Sequence, residues 1–431
     1  MGRGTRRVPG KNQGMAATYP IRPIEQDEFS AFYAVTEDAF NSSYPADEEQ
    51  RYDLPVFEFD RSLAAFDGAE MVGTAIALSI RMTVPGDTAA VAGVTAVTTA
   101  PSHRRRGILT SLMHRQLADI RERGESVAAL FASEAGIYGR FGYGSAASEL
   151  NLTIRRGEGR LLTRATAPGP QRLRAAEPRD ATAELAKVYE SVLPERPGMI
   201  ARDDRWWDRK LWDPEHRRSG SGPLRCVIAE DDSGPCGYAL FSARPTWSDD
   251  GIPGGVLQVR ELMATDPAAY AAVWNDLLNR DLVSEVRAQA RPADEPLLYL
   301  LADRRRARPR LLDALWVRLV SVPQALAGRR YSCPVDVVIE VVDDLLAENA
   351  GRWRLRAPGR AAEGERATCE RTSAAADVTL PVEALGAAYM GGTTLGTLAA
   401  AGLAAQARPG AIAALSTALS WEPAPWSPTT F

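Results

Sequence analysis

Apolar positions in the first third of the chain change period several times. Residues 21–23 read as a short strand, 28–40 carry apolar residues at helical spacing, and 63–66 form a compact apolar run. An Asp67-Gly68 turn leads into a long strand over 71–84, and Pro85-Gly86-Asp87 folds the chain back into a strand over 90–99. Ile108, Leu109, Leu112, Met113, Gln116, Leu117 and Ile120 then share one helical face, which Gly124 ends. The apolar run 127–131 suits a buried strand lying parallel to the one before the helix. The order predicts antiparallel hairpins followed by a strand, loop, helix, strand crossover.

The same order returns. "IRPIEQDEFSAFYAVTEDAF" from Ile21 is echoed by "LRAAEPRDATAELAKVYESV" from Leu173, "AAFDGAEMVGTAIALSIR" by "VIAEDDSGPCGYALFSAR", and "GVTAVTTAPSHRRRG" by "QVRELMATDPAAYAA". A duplication follows, with a first copy over 18–160 and a second over 170–305. In the second copy Asp266 and Pro267 stand where the first has arginines, so it lacks the charge and free N–H groups that an anion needs. That copy is expected to be structural.

From 306 to 431 the pattern changes to a third, α+β domain: strands over 335–341 and 351–356, then helices over 382–389, 394–405 and 412–419. The chain ends "WEPAPWSPTTF". Three aromatics among stiffening prolines predict a docked terminus rather than a frayed one.

At 431 residues the chain suits about three domains, and 45% hydrophobic with 25% charged residues is a globular composition. A net charge of −4 gives no general drive toward DNA or RNA, so nucleic acid is not an expected partner. Cys226, Cys236, Cys333 and Cys369 have no CxxC spacing and the three histidines are scattered; neither a metal site nor a disulfide framework is signalled, and a cytoplasmic setting fits. The basic, Gly-rich residues 1–17 read as a disordered lead, and no apolar run is long enough for a membrane span.

One stretch carries chemistry. "PSHRRRGILT" sets three arginines before a glycine between a strand and a helix, where backbone N–H groups and the helix dipole favour an anion. Arginine adds bidentate contacts to phosphate oxygens, and Gly107 permits close approach of the backbone. A solvated basic corner is the alternative, but a helix N-terminus is a poor place for three cations with no anion to face.

The loop and its flanking strands resemble the GCN5-related N-acetyltransferase (GNAT) superfamily, whose pyrophosphate motif Q/R-x-x-G-x-G/A reads here Arg104-Arg105-Arg106-Gly107-Ile108-Leu109. Leu109 departs from the usual Gly or Ala. The longer stretches "TVPGDTAAVAGVTAVTTAPSHRRRGILTSLM" and "ALFASEAGIYGRFGYGSA" resemble the enhanced intracellular survival (Eis) family of these enzymes. The resemblance implies an α/β architecture of tandem GNAT-like domains, the second degenerate, before a sterol-carrier-like α+β domain. It also implies acetyl-CoA as co-substrate, no metal, and a homohexamer.

By that resemblance, Val97, Thr98 and Thr99 offer backbone groups to the pantetheine arm, with the Val97 N–H polarising the thioester carbonyl. Arg105, Arg106, Gly107, Ile108, Leu109 and Thr110 hold the pyrophosphate, Arg104 supports the loop, and Ser133 and Glu134 flank the far side of the cofactor. Tyr138 would be the general acid toward the departing thiolate, Tyr143 a packing residue, and the carboxylate of Phe431 the base near the amine. Thr430 stands where relatives often carry an acid. Eleven acidic residues against two arginines between 21 and 60 are expected to draw a cationic amine: an aminoglycoside, a polyamine or a lysine side chain. The rival expectation is a non-catalytic acyl-CoA sensor or scaffold using its third domain for a ligand or partner.

Overall fold

A computed structural model of the chain describes residues 19–41, 46–162, 171–360 and 364–431. The expected lead over 1–17 lies outside the described residues. The first unit contains strands β1 (Ile21–Arg22), β2 (Ser62–Asp67), β3 (Glu70–Val84), β4 (Asp87–Thr99), β5 (Val127–Phe131) and β6 (Gly144–Ser145), with helices α1 (Phe29–Phe40), α2 (Ala46–Asp53), α3 (Ile108–Glu122) and the single turn α4 (Ala135–Tyr138). These are the hairpins and crossover expected from the pattern, and β4 and β5 are parallel. Helix α3 buries Ile108, Leu112, Met113, Gln116, Leu117 and Ile120. Each such apolar side chain contributes roughly 2 kcal/mol of burial, which fixes the start of α3 beside the end of β4.

Strand β7 (Ser148–Arg155) does not stay with the first sheet. It joins the second unit, built from β8 (Arg172–Ala176), β9 (Arg225–Asp231), β10 (Gly234–Arg244), β11 (Gly255–Ala264), β12 (Val283–Pro292) and β13 (Arg310–Asp313), with α5 (Thr182–Val192), α6 (Asp204–Leu211), α7 (Pro267–Leu278) and α8 (Leu297–Leu300). In return β14 (Leu315–Leu319) enters the first sheet. The orders are β1-β2-β3-β4-β5-β14-β6 and, read in the same sense, β8-β9-β10-β11-β12-β7-β13. The duplication is therefore visible strand for strand, and each sheet takes its sixth strand from the chain that follows the other. The contiguous boundaries expected at 160 and 306 do not coincide with the sheets, because the hydrogen bonds of 148–155 and 315–319 are made across the molecule: β7 to β12 and β13, β14 to β5 and β6.

The third unit has a sheet of β15 (Val335–Val342), β16 (Gly351–Ala357), β17 (Thr368–Arg371), β18 (Val378–Pro381) and β19 (Ala405–Gln406) in the order β17-β16-β15-β18-β19, with α9 (Val322–Ala327), α10 (Val382–Tyr389), α11 (Leu395–Ala400) and α12 (Ala411–Leu419). Helix α10 lies directly on β6 and β14. A Cβ on Gly386 would come within 2.4 Å of the Val317 carbonyl oxygen, so only glycine allows this approach. On the same β14, buried Arg318 donates to both oxygens of buried Asp343 at 2.8 and 2.7 Å, tying the first sheet to the third unit.

Candidate active site

The arginine loop is braced from beneath and open above. His103 is buried and its Nε2 lies 3.1 Å from Asp67 Oδ2. Arg106 donates to the Tyr19 hydroxyl at 3.2 Å and to the Ser102 carbonyl at 3.1 Å. Arg104, Arg105 and Arg106 are all exposed, and Arg106 makes its two contacts to Tyr19 and Ser102 from the surface. Arg105 and Gly107 both have positive φ, 63° and 85°. Nothing lies within 4 Å of the place a Gly107 Cβ would take, so glycine is needed there for conformation and not for space inside the fold. Ile108 is buried, Leu109 half-buried and Thr110 exposed.

No side chain caps α3. The second copy differs at this point: Asp266 caps α7, accepting from the N–H groups of Ala268 and Ala269 at 2.8 and 2.9 Å. An aspartate that already takes those donors leaves none for an anion. The degenerate second copy expected from the sequence has this physical basis.

Beside the loop, β4 separates from β5. The two strands pair only over Val91, Ala92 and Gly93, and β4 continues to Thr99 paired with β3 alone. Ala96 has φ 49°, and the β3–β4 register slips here, so that Ala96 and Val97 together oppose Ala75. Buried Thr74 pins this bulge, donating to the Ala96 carbonyl at 2.8 Å and contacting the Thr98 hydroxyl at 2.6 Å. The Thr99 hydroxyl oxygen is buried with no hydrogen-bond partner among the described residues. A parting of two strands, an uncapped helix end, three exposed arginines and an orphaned hydroxyl suit an extended ligand with a phosphate end.

Across the cleft, Ser133 and Glu134 are exposed where β5 ends. Tyr138 is 7% exposed and belongs to the same packed cluster as Val94 and half-buried Val97. Burial, and then the charge of Glu134, push its hydroxyl above the ordinary tyrosine range. Tyr143 packs edge-on against Tyr138 at 6.1 Å and is wholly buried, the packing residue expected of it.

The C-terminal tail is docked, with Trp421, Trp426 and Phe431 all buried. Trp426 occupies the place in the second sheet where β12 leaves β11: its backbone N–H donates to Pro197 O at 2.8 Å and its indole to Ala290 O at 2.6 Å. A buried cluster grips the next residues. Arg202 donates to both oxygens of Glu261 at 2.9 and 2.7 Å and to the Thr429 hydroxyl at 3.0 and 2.6 Å. Lys210 reaches Glu261 at 2.8 Å and Pro428 O at 3.3 Å, and Arg209 donates to Thr430 O at 2.9 Å. Burial opposes the Glu261 charge, but Arg202 and Lys210 outweigh it and hold the carboxyl well below its usual range. The tail then delivers Phe431 to the first sheet, its ring 5.2 Å from that of Phe131 and against Gly93, where a Cβ would lie 3.0 Å from it.

These clamp residues were missed in the sequence. The one local signal was Glu261, the single acid in the largely apolar strand "GVLQVRELMA", beside Arg260.

Next to the bulge, a cavity of about 140 Å³ is lined by Phe29, Phe32, Tyr33, Phe40 and Phe57, by Thr95 and Ala96, and by Phe431. The acidic segment does not make it acidic. Glu28 pairs with Arg22, Glu48 with His216, Asp60 with Arg123, and Glu58 accepts from Ser79. Among the described residues Asp53 is the acid of that segment that lines the cavity, and it pairs with Arg209 at 3.2 Å. Glu28, Glu48, Glu58 and Asp60 thus have partners of their own, and Asp53 shares the cavity wall with Arg209.

Among the described residues no His, Cys, Asp and Glu group could hold a metal ion, the four cysteines are free, and no helix is long and apolar enough to cross a membrane. Comparison with known proteins agrees with the three units. Residues 20–146 and 198–319 each match the Acetyltransferase (GNAT) domain family, and 322–428 match the Sterol carrier protein domain family. An N-acetyltransferase of Streptomyces avermitilis is 44% identical over 96% of this chain and 100% of its own length. N-acetyltransferase Eis of Mycobacterium tuberculosis is 36% identical over 78% of this chain and 79% of its own. The crystal structure of Eis1 from Mycobacterium abscessus superposes with a TM-score of 0.78 at 34% identity, covering 96% of this chain and 100% of that one.

Proposed function

The chain belongs to the Eis family of GNAT acyltransferases, and from that premise we propose that it moves the acetyl group of acetyl-CoA to a primary amine by direct attack in a ternary complex. The observation that carries this reading is the parting of β4 from β5 beside the uncapped start of α3, with Phe431 at the point of parting. Bound acetyl-CoA supplies an activated acyl group as a thioester. The guanidiniums of Arg105 and Arg106, exposed like that of Arg104, and the backbone from Gly107 through Ile108 and Leu109 to Thr110 hold its phosphates. Thr98 and Thr99 offer polar groups to the pantetheine arm, and the Val97 N–H stabilises charge on the acyl oxygen. Ser133 and Glu134 border the other wall.

In the overall change one ammonium proton passes to the Phe431 carboxylate and the neutral amine forms the N–C bond as the C–S bond breaks; the Tyr138 hydroxyl gives its proton to the departing sulfur, and the second proton lost by the nitrogen as the amide forms returns Tyr138 to its neutral state. A carboxylate with an ordinary pKa near 3.5 is a weak base, so Phe431 also attracts and orients the ammonium. The acceptor is a cationic amine: a small molecule such as an aminoglycoside or polyamine, or a protein lysine. A homohexamer in the cytoplasm belongs to the same reading, and sedimentation equilibrium reads the assembly.

Thiol release from acetyl-CoA in the presence of amine tests the reaction. Tyr138→Phe should lower kcat by about 100-fold or more at an unchanged melting temperature, and deletion of Phe431 should do likewise. Binding of CoA with no thiol released for any amine would replace this reading by that of a sensor.

A further inference from the structure

The parting of β4 from β5 in the first unit has a counterpart in the second. Strands β11 and β12 pair in parallel only from Gly255 and Val283 to Val259 and Ala288, and β11 runs on to Ala264. The register of β11 against β10 slips beside this point: Leu240 opposes Glu261 and Phe241 opposes Val259, so Arg260 is the extra residue. Ala290 on β12 has φ 50°, as Ala96 has φ 49° in the first unit. The chain's own tail enters this second parting. The Trp426 indole donates to the Ala290 carbonyl at 2.6 Å, and Arg291, 5.2 Å from the Trp426 ring, donates to the Leu262 carbonyl at 3.2 Å.

Residues 428, 429 and 430 are then each held by one cation of the second unit: Pro428 by Lys210, Thr429 by Arg202 and Thr430 by Arg209. Arg202 is the best fixed of the three. Its guanidinium meets both oxygens of Glu261 and lies 3.9 Å from the Tyr189 ring, and the Tyr238 hydroxyl donates to Glu261 at 2.7 Å. The side chains of Arg202 and Glu261 are wholly buried. Two residues after this anchor, Phe431 packs on Gly93, the last β4 residue paired with β5 at the first parting.

Resting on the reaction proposed above, in which the Phe431 carboxylate takes the ammonium proton, we infer that the second unit aims that carboxylate, with Arg202 and Glu261 acting through Thr429 as positioning residues. A chain terminus frays unless it is tied down. Packing of the Phe431 ring on Phe131 and Gly93 fixes the side chain, but by itself would leave the carboxylate free to turn. A general base must stay within hydrogen-bond reach of its proton, and a displacement of about 1 Å can cost on the order of 100-fold in rate. Thr429 is buried and Thr430 is exposed, so the rigid point nearest the carboxylate on the chain side is the Thr429 hydroxyl, which accepts both Nε and Nη2 of Arg202. The second unit thus keeps the parted strands of the first and uses them for the tail.

The test uses the full chain and acetyl-CoA, with the fastest of kanamycin, spermidine and a lysine peptide as acceptor, read by thiol release. Thr429→Val keeps the side-chain shape and removes the hydroxyl; kcat should fall about 10-fold to 100-fold, with KM for acetyl-CoA unchanged and full calorimetric binding of CoA to show a folded chain. Thr429→Ser restores the hydroxyl and should bring kcat back to within about 3-fold of the parent. In a chain lacking Phe431, Thr429→Val should lower the residual rate no further, since the threonine acts through that residue. A further loss there would overturn the inference, as would full turnover of Thr429→Val when deletion of Phe431 abolishes it; both leave the reaction standing. If Thr429→Val binds no CoA, Thr430→Gly decides: it loosens the exposed link between anchor and terminus and should lower kcat about 3-fold, and an unchanged kcat overturns the inference. An undiminished rate without Phe431, or no thiol release with any acceptor, rejects the reaction as proposed and the inference with it.

Discussion

Tyr138 shows how a single side chain is prepared by its surroundings. Burial and the nearby Glu134 charge both favour its neutral form, so its pKa rises above the ordinary value of 10. A general acid works while protonated and fails as pH passes its pKa. The expected profile of log kcat is therefore flat on the alkaline side to at least about pH 10; an alkaline fall in the wild type between pH 7 and 9 would assign the proton to another group. The place of the residue in "GIYGRFGYG" is legible in the sequence, whereas its burial with Val94 and Tyr143 comes from packing across the first unit. Arg106 is a similar case. The loop turns at Arg105, with φ 63°, and Arg106 reaches back to Ser102 and Tyr19, a contact that no local pattern signals.

Among elements, the tail and the strand that anchors it are coupled by charge. Glu261 on β11 is enclosed by Arg202 and by Lys210 of α6, and all three reach or support residues 428–430. Glu261→Gln leaves two cations facing a neutral amide, and should cost about 3–5 kcal/mol in chemical denaturation. Because the Glu261 pKa is lowered on folding, its stabilisation is present above the unfolded value near 4.5 and is lost as pH falls below it. The wild-type advantage over the variant should accordingly shrink between about pH 5 and pH 2. The helices and hairpins themselves were largely readable: α10 falls on the expected 382–389, and the face of α3 is the one its periodicity implied. The clamp was not, because its members are separated by up to 227 residues and none belongs to a local pattern.

On the scale of the whole molecule, the exchange of β7 and β14 makes the two duplicated units interdependent. Without β14 the first sheet exposes the edge of β5 and loses its tie through Arg318 to Asp343. Calorimetry should give one cooperative transition for the two units together, and a fragment spanning 19–160 should lack native-like amide protection; independent refolding of that fragment would contradict this. The same exchange and the long tail bring the third unit into the site, since the last residue of the chain reaches Gly93 of β4.

Local pattern alone determined the strand and helix order, the duplication, the arginine loop between strand and helix and the docked terminus, because each depends on spacing, turn chemistry or composition within a short window. Tertiary structure decided what depends on contacts across the chain. It decided which sheet receives each sixth strand, which arginine reaches back to Tyr19 and what clamps the tail. It also gave several acids of the 21–60 segment partners of their own and set a largely aromatic cavity beside the bulge. Charge counted along a sequence carries no direction, and only packing decides which way an acid faces.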